Sequence, residues 1–296
     1  MKSKQNFKNI ILYLLPALLL YSIFELYPMI QAVFLSFYKW NGIGGANLKF
    51  VGFNNFISIF QDKVFWMSIK NLGIFLVLGI VSVITISFFL AYLLSLELKG
   101  TKFFKVTFFL PVVLSVTAVS LMWKMILDNN YGLLNTLLTN IGLGNLARAW
   151  LTDPSVCFIV IVLINSWIFI GYYTIIMLAQ IISIPKEIFE SLNMDGAGEF
   201  TTIFKAVLPL SWDVIGICIV LVTANIMKAF DLVYVLTSGS FGPSDINQIP
   251  VGLIYYKSFI SDQFGQGSAL STIVMILGIS LSAVMYFKIF QKADNN

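Results

Sequence analysis

Five side chains in two apolar stretches combine residue types that bind hydroxylated ligands. Asn165, Phe169 and Tyr172 fall at i, i+4 and i+7, which places them on one face of a helix. Asn225 lies on a stripe of a second apolar stretch, with Lys228 near the edge of that stripe. Amide groups can match hydroxyls, and aromatic rings can stack on a sugar ring in a pocket that excludes water. The spacing favours a sugar-binding pocket; the alternative is ordinary helix packing, which uses the same residue types.

Other kinds of site lack the residues that they need. The chain has no histidine, and its two cysteines, Cys157 and Cys218, lie inside apolar runs. We therefore predict neither a metal site nor a disulfide scaffold. The sequence contains no Gly-Lys dipeptide, which excludes the phosphate-binding loop of P-loop ATPases. We expect a protein that is not an enzyme and has no catalytic residue and no cofactor of its own.

The elements that must position the five side chains are membrane helices. Only 11% of the 296 residues are charged, 58% are hydrophobic, and the mean hydropathy is +0.90. Soluble domains have about 25% charged residues, so this composition excludes a soluble enzyme. The apolar residues gather into runs close to the roughly 20 residues that a helix needs to cross a bilayer. The sequence predicts an all-α, polytopic membrane protein.

We predict six transmembrane helices, separated by charged or Gly- and Pro-containing segments. The predicted spans cover residues 10–37, 72–96, 104–127, 156–182, 214–236 and 270–289. Together they form one transmembrane domain, 10–290, between an N-terminal segment, 1–9, and a C-terminal tail, 291–296.

The predicted spans contain prolines, which are commoner in membrane helices than in soluble ones, and charged residues, which are costly in lipid. Pro16, Pro28 and Pro111 are expected to interrupt the helices that contain them. Lys228 and Asp231 are three residues apart, so on one helix they could form an ion pair.

Lysine placement predicts the orientation of the chain. Lys99 and Lys102 lie in the short connection after the second span, Lys105 lies just beyond it, and further lysines precede the first span. Lysines are enriched in cytoplasmic segments of membrane proteins. Both termini are therefore predicted to be cytoplasmic, and the longer connections after the first, third and fifth spans are predicted to lie outside.

A more polar segment at 183–210 separates the fourth and fifth spans. A short helix is predicted over 186–194, and Gly196 can take the left-handed conformation that ends a helix. A second helix is predicted over 199–207 and is expected to stop at Pro209. Its predicted apolar face consists of Phe200, Ile203, Phe204 and Val207. Such a hairpin could rest on the membrane surface or dock into a cytoplasmic partner.

The residues of this segment resemble the EAA loop of ABC importer permeases. The family pattern places Glu-Ala-Ala before Asp-Gly-Ala and, further on, Leu-Pro. The matching residues are Glu190, Asp195, Gly196, Ala197, Leu208 and Pro209. The chain departs from the pattern at Ser191 and Leu192, where the family has Ala. The resemblance implies that the first helix is a coupling helix in a groove of an ATPase subunit, and that Glu190, Asp195, Gly196 and Ala197 form this contact.

Three further elements resemble the carbohydrate branch of these permeases, the maltose and glycerol-phosphate type, and in particular its MalF-like subunit. They are segments 50–56, 131–135 and 230–239. The third departs from the family pattern because Ser240 and Phe241 are inserted before a Gly-Pro pair, which leaves the shape of this outer loop open. By the same resemblance, Asn165 and Tyr172 match residues that line the sugar site of maltose-type permeases.

The resemblance implies a complete importer around this chain. It implies a second homologous permease, two cytoplasmic ATPase subunits that bind ATP and Mg²⁺, and an external solute-binding lipoprotein that delivers a sugar or oligosaccharide. It also implies a multi-pass protein in the lipid of the bacterial cell membrane, with no nucleic-acid partner. An ion-coupled secondary transporter is the main alternative, and it would need acidic residues at mid-membrane. A non-transporting scaffold would leave the pattern at 183–210 without a purpose.

Overall fold

The described chain is almost entirely helical. The computed structural model describes residues 13–44 and 48–290. The predicted terminal segments 1–9 and 291–296, and the first residues of the first predicted span, lie outside these ranges.

The helices follow one another with short connections. In chain order they are α1 Tyr13–Leu35, α2 Asn54–Gln61, α3 Lys63–Ser95, α4 Thr101–Val113, α5 Val116–Ile126, α6 Leu133–Asn140, α7 Cys157–Ser183, α8 Lys186–Met194, α9 Glu199–Leu210, α10 Trp212–Met227, α11 Phe230–Leu236, α12 Pro250–Tyr255 and α13 Phe264–Phe290. Wider π-helical turns occur at Ser22–Leu26, Ile203–Val207 and Tyr256–Ile260, and 3₁₀ turns at Gly144–Leu146 and Pro243–Asp245. Strands β1 Tyr38–Lys39 and β2 Lys49–Phe50 form an antiparallel pair, with Tyr38 opposite Phe50.

Four unbroken helices are long and apolar enough to cross a membrane, namely α1, α3, α7 and α13. Two bent pairs pass the same test when each is taken as one span. The bend is 99° between α4 and α5 and 70° between α9 and α10. Among the described residues there are thus four to six candidate spans, and the arrangement of six spans stays a prediction.

The third predicted span, 104–127, is not one continuous helix. Leu114 and Ser115 have extended backbone with ψ of 152° and 131°, and they separate α4 from α5. Pro111 lies inside α4, two residues before its end. A proline removes one backbone donor and crowds the preceding turn, which is consistent with a break close to it. By contrast, α1 continues through Pro16 and Pro28 to its end at Leu35.

The fifth predicted span, 214–236, is also interrupted. The helix α10 ends at Met227, Lys228 caps it with φ −102° and ψ 7°, and α11 begins at Phe230. Lys228 and Asp231 therefore do not share one helix, and within the described ranges they form no ion pair. The pairing suggested by their spacing is wrong because the helix restarts between them.

One compact unit consists of the described residues up to 65 together with Leu253–Ile276. Its buried Asn55 donates hydrogen bonds from Nδ2 to the carbonyls of Ser36, at 2.8 Å, and Tyr38, at 2.9 Å. These carbonyls follow the end of α1. The asparagine of segment 50–56 therefore ties the end of α1 to α2.

An ion pair joins two other parts of this unit. Lys257 Nζ lies 2.9 Å from Asp62 Oδ2. Partial burial raises the pKa of Asp62. The hydrogen bond and charge of Lys257 and the hydrogen bond from the backbone N–H of Val64 lower it. The net result is a pKa below the usual value of an aspartate. The carboxylate is thus held in its charged form beside the start of α3.

The second unit comprises Trp66–Gly252 and the described residues from 277 onward. Its apolar core is continuous and centres on α7, and fully buried side chains include Phe75, Ile161, Met177, Val207 and Val233. Because this unit contains segment 183–210, the candidate coupling segment, and all five predicted pocket residues, its packing determines their geometry.

Asn71 attaches the segment after α11 to α3. Its buried Nδ2 donates to the carbonyl of Ile246 at 2.8 Å and to that of Gln248 at 2.9 Å. The Cys157 thiol donates to Asn247 Oδ1 at 3.1 Å, which connects the same segment to α7. The loop that carries the insertion is therefore held at its far end by two different helices.

The buried side chain of the inserted Phe241 packs this loop against the core of the unit. Only 2% of Phe241 is exposed, and its ring packs against those of Phe230 and Tyr234, with centroids 6.4 and 6.1 Å apart. The ring also lies over Gly252, where an added Cβ would come within 2.4 Å of it. The insertion extends the loop by a residue that fills the core.

We expect Asn71→Ala to destabilise the protein by about 2 kcal/mol, because one buried and one partly buried carbonyl lose their donor and an unsatisfied buried group costs about 1–3 kcal/mol. The measurement is the thermal unfolding midpoint in detergent. Asn140→Ala is the matched control, since Asn140 is exposed at the end of α6. Equal midpoints for the two variants would contradict the anchoring role.

Candidate substrate pocket and coupling segment

Four of the five predicted pocket side chains line one cavity in the second unit. The cavity has a volume of about 310 Å³ and lies between α4, α7 and α10. Its walls are formed by Val112, Phe169, Tyr172, Tyr173, Leu221, Ala224, Asn225 and Lys228. The predicted helical faces of α7 and α10 therefore do meet.

The fifth predicted pocket residue, Asn165, is placed differently from the other four. It is on α7, only 3% exposed, and does not lie on the wall of this cavity. The i, i+4, i+7 spacing is present, but the α7 surface around Asn165 is covered by packing. The amide therefore lies in the core of the unit rather than on the cavity wall.

Sequence reasoning missed Tyr173 as a wall residue. Tyr173 is buried, and its ring stands edge-on to that of Tyr172 with centroids 5.1 Å apart. The two neighbours form a broader aromatic surface than helical spacing alone indicates. The adjacent tyrosines in the sequence were the available signal for this pair.

A close approach of two helices fixes this wall. A Cβ built on Gly171 would lie 1.8 Å from the Phe108 carbonyl oxygen, so the backbones of α7 and α4 touch at this glycine. Gly171 lies between Phe169 and Tyr172 in the sequence. The contact therefore holds Val112 of α4 beside the aromatic residues of α7.

The cavity has the chemistry of a binding site. It offers aromatic faces, the Asn225 amide as donor and acceptor, and the Lys228 ammonium as a donor. Among the described residues, no group of three or more His, Cys, Asp and Glu side chains could hold a metal ion. The arrangement can hold a hydroxylated ligand by stacking and hydrogen bonding.

In the coupling segment, the structure confirms the predicted helix 186–194 as α8. Its three apolar side chains, Ile188, Phe189 and Leu192, are half-buried, while Glu190 is exposed. Gly196 follows with φ +72°, the left-handed conformation predicted for it. The amphipathic character of α8 therefore leaves its polar side free for another molecule.

The turn after α8 is closed by backbone hydrogen bonds. The N–H of Asp195 donates to Ser191 O at 3.0 Å, and the N–H of Ala197 donates to Leu192 O at 2.9 Å. The side chain of Asp195 is exposed, and Ala197 is half-buried. Asp195 and Gly196 thus sit at the tip of the segment, where both are accessible.

The second helical arm of segment 183–210, α9, differs from its prediction in two respects. It does not stop at Pro209 but continues to Leu210, because the π-turn Ile203–Val207 is followed by a new helical start in which the missing N–H of proline is tolerated. Phe200 and Phe204 were predicted to be on the apolar face but are 77% and 53% exposed. Ile203 and Val207 are buried as predicted, and the other two residues of the buried face are Thr202 and Ala206.

A second cavity, of about 580 Å³, is lined in part by residues of the candidate coupling segment. It is bounded by the end of α3, the end of α7 and both arms of the segment. Its charged wall residues are Glu97, Lys186, Glu190 and Glu199. Glu190 is thus on the rim of a groove that has charges of both signs.

Segment 131–135 is held in place by the hydrogen bonds of its asparagine, Asn135. Asn135 donates from Nδ2 to the carbonyl of Arg148 at 3.1 Å, and its Oδ1 accepts from Trp150 Nε1 at 2.8 Å. Just before it, the Asp128 carboxylate accepts the backbone N–H groups of Tyr131 and Asn130, which lowers the pKa of Asp128. The asparagine of this element fixes the fold of the segment between α5 and α7.

Comparison with known proteins identifies the family. The chain is 33% identical over 282 residues to the probable ABC transporter permease protein YurN of Bacillus subtilis (strain 168), covering 95% of each chain. It is 30% identical over 278 residues to the lactose transport system permease protein LacF of Rhizobium radiobacter, covering 93% of this chain and 92% of the relative. The chain belongs to the ABC transporter permeases. The resemblance to the carbohydrate branch of the family is confirmed by such relatives.

The fold of the permease is shared with a solved transporter. A bacterial alginate ABC transporter, solved in complex with alginate pentasaccharide-bound periplasmic protein, matches with a TM-score of 0.81 and 21% identity over 96% of this permease and 94% of that chain. No family model matches the permease. Taken with the apolar helices, the comparisons identify a multi-pass membrane protein and a transport subunit.

We expect Gly171→Ala to lower the thermal unfolding midpoint of the permease, because its methyl group would collide with the Phe108 carbonyl and overpacking costs about 1–3 kcal/mol. Gly73→Ala is the matched control, since Gly73 lies in α3 with nothing within 4 Å of an added Cβ. Alanine should raise stability there by about 0.5–1 kcal/mol. A Gly171→Ala variant as stable as the control would show that α4 and α7 are not in fixed contact.

Proposed function

We propose that this permease is the membrane-spanning subunit of an ATP-driven importer that translocates a sugar or oligosaccharide. The observation that carries the proposal is the cavity shared by Phe169, Tyr172, Asn225 and Lys228. Stacking surfaces next to hydrogen-bonding groups are the features that sugar recognition needs. The transport of lactose named for one relative supports the same substrate class.

The proposal includes the remaining parts of the importer. A second permease completes the pathway, two cytoplasmic ATPase subunits bind ATP and Mg²⁺ and hydrolyse the ATP, and an external binding protein delivers the sugar. The absence of a Gly-Lys dipeptide supports an ATPase on a separate chain. The alginate transporter solved with its periplasmic protein supports delivery by a binding protein.

The proposed topology has six spans and cytoplasmic termini in the bacterial cell membrane. The bent pairs α4–α5 and α9–α10 each serve as one span in this arrangement. Lys99, Lys102 and Lys105 then lie on the cytoplasmic side, as does the coupling segment.

In the proposed mechanism, α8 transmits ATPase closure to the membrane helices. Glu190 presents a charge to the ATPase, while Asp195, Gly196 and Ala197 form the turn that sets the angle of α8. The exposed polar side of α8 and the left-handed Gly196 support this role. These residues act mechanically, and ATP hydrolysis takes place on the partner subunits.

The first test concerns the pocket. We expect Tyr172→Ala to reduce sugar uptake about tenfold or more at unchanged membrane abundance, because a stacked aromatic face contributes about 0.5–1.5 kcal/mol beyond its buried area. Uptake is measured in cells that contain all subunits. Leu163→Ala is the control, since Leu163 is a large exposed side chain on the same helix, away from the cavity.

A companion variant addresses the predicted role of Asn165. If Asn165 only packs, Asn165→Ala lowers abundance and uptake in proportion. If its amide reaches the sugar in another state of the transporter, uptake falls while abundance is unchanged.

Uptake driven by an ion gradient in the absence of ATPase subunits would contradict the importer proposal and favour a secondary transporter.

The second test concerns coupling. Gly196→Val should release or uncouple the ATPase, because a β-branched residue at φ +72° is strained and would tilt α8. Gly198→Val is the matched control, since Gly198 is two residues away with φ −73° and equally open surroundings. Co-purification of ATPase and its stimulation by the binding protein are measured at equal membrane levels. Wild-type values in the Gly196 variant would refute the coupling role.

A further inference from the structure

We infer that Gln180 is a positioning residue that holds the bend between the coupling segment and α10. This inference rests on the proposed function, because it gives that bend a role in transmitting movement from the ATPase. Gln180 lies in the last turn of α7, and its Nε2 donates a hydrogen bond to the carbonyl of Leu210 at 3.0 Å. The bond joins residues 30 positions apart in the sequence.

The Leu210 carbonyl is at a structurally sensitive position. Leu210 is the last residue of α9, and the direction of the chain changes by 70° before α10 starts at Trp212. Carbonyls at the end of a helix lack donors from their own helix, and within a membrane protein they need a donor from elsewhere. Gln180 supplies such a donor from α7.

The bend itself has features of a hinge. Pro209 has no N–H to contribute to the hydrogen bonds of the helix, and the π-turn Ile203–Val207 ends two residues before it. Ser211 lies between α9 and α10, is only 1% exposed, and its Oγ has no hydrogen-bond partner among the described residues. A buried hydroxyl without a partner can gain a bond if the bend angle changes. The Ser211 N–H donates to Val207 O at 3.0 Å, and the Ser211 carbonyl accepts from the Ile215 N–H at 3.0 Å, so backbone bonds continue through the bend. The Gln180 bond adds a contact with a second helix, which makes it a determinant of the bend angle.

The location explains why the angle matters for coupling. The arm α9 connects the turn at Gly196 to α10, and α10 contributes Asn225 to the cavity. A displacement of α8 by the ATPase can reach α10 only through this bend or through side-chain packing. If α7 fixes the bend angle, a displacement of α9 also moves α10. If the angle can vary, α9 can move while α10 stays in place.

The test uses the complete transporter in proteoliposomes with the variants Gln180→Leu and Gln180→Glu. Neither side chain, the latter being ionised, can donate to Leu210, and glutamate keeps the size of glutamine. Spin labels at Phe200→Cys and Ile217→Cys, two exposed positions on either side of the bend, report its angle as a distance distribution. We expect one narrow distribution with Gln180 and a broadened one in both variants.

The second readout is ATP hydrolysis with and without the binding protein. A net hydrogen bond shifts an equilibrium by roughly two- to tenfold, so the ratio of stimulated to basal hydrolysis should fall by about this factor. The control is Ser183→Ala, which removes a local bond from Ser183 Oγ to the Gln180 carbonyl one turn further along α7. It should change neither readout.

An unchanged distance distribution in both Gln180 variants would overturn the inference, and so would a broadened distribution with a normal stimulation ratio. A general loss of stability would lower the amount of protein without broadening the distribution in the fraction that remains folded. If the wild-type transporter hydrolyses no ATP in response to a binding protein, the proposed function fails. The distance distribution still decides whether Gln180 holds the bend.

Discussion

The pair of hydrogen bonds from Asn71 to the carbonyls of Ile246 and Gln248 is the constraint on which the second unit depends. In an apolar environment an unpaired backbone group costs several kcal/mol, so every place where a helix ends or bends needs a donor or acceptor from outside the helix. Asn71 meets this need for the segment that follows α11. With that segment fixed, Phe241 can fill the space over Gly252 and close the core.

Side-chain amides act in the same way at three other places where the chain leaves a helix. Asn55 serves the end of α1, Asn135 serves the segment between α5 and α7, and Gln180 serves the end of α9. A side-chain amide suits this purpose because it is neutral and carries both donors and an acceptor. Two of these residues belong to the elements that resemble the carbohydrate permeases. Those elements therefore reflect the requirements of membrane folding, and neither asparagine lines the candidate pocket.

The sequence predicted the long helices well and their breaks poorly, for a physical reason. An apolar run indicates that a segment can lie in lipid, but it does not show where the helix bends. Pro111 is close to the break between α4 and α5, whereas α1 continues through Pro16 and Pro28. The short helix α8 was predictable because its amphipathic pattern and Gly196 are local signals. The exposure of Phe200 and Phe204 was not, since it depends on a π-turn and on which face α7 covers. Likewise, spacing placed Asn165 and Tyr172 on one face, while packing decided that only Tyr172 reaches the cavity.

Two of the helix breaks are also borders of the pocket. Val112 is the penultimate residue of α4, and Lys228 directly follows α10. Where a helix ends, some backbone groups lose their partners within the helix, and in membrane transporters such irregular backbone is tolerated where it lines a cavity. A cavity bounded by two helix ends thus combines side chains for recognition with backbone that can change conformation at low cost.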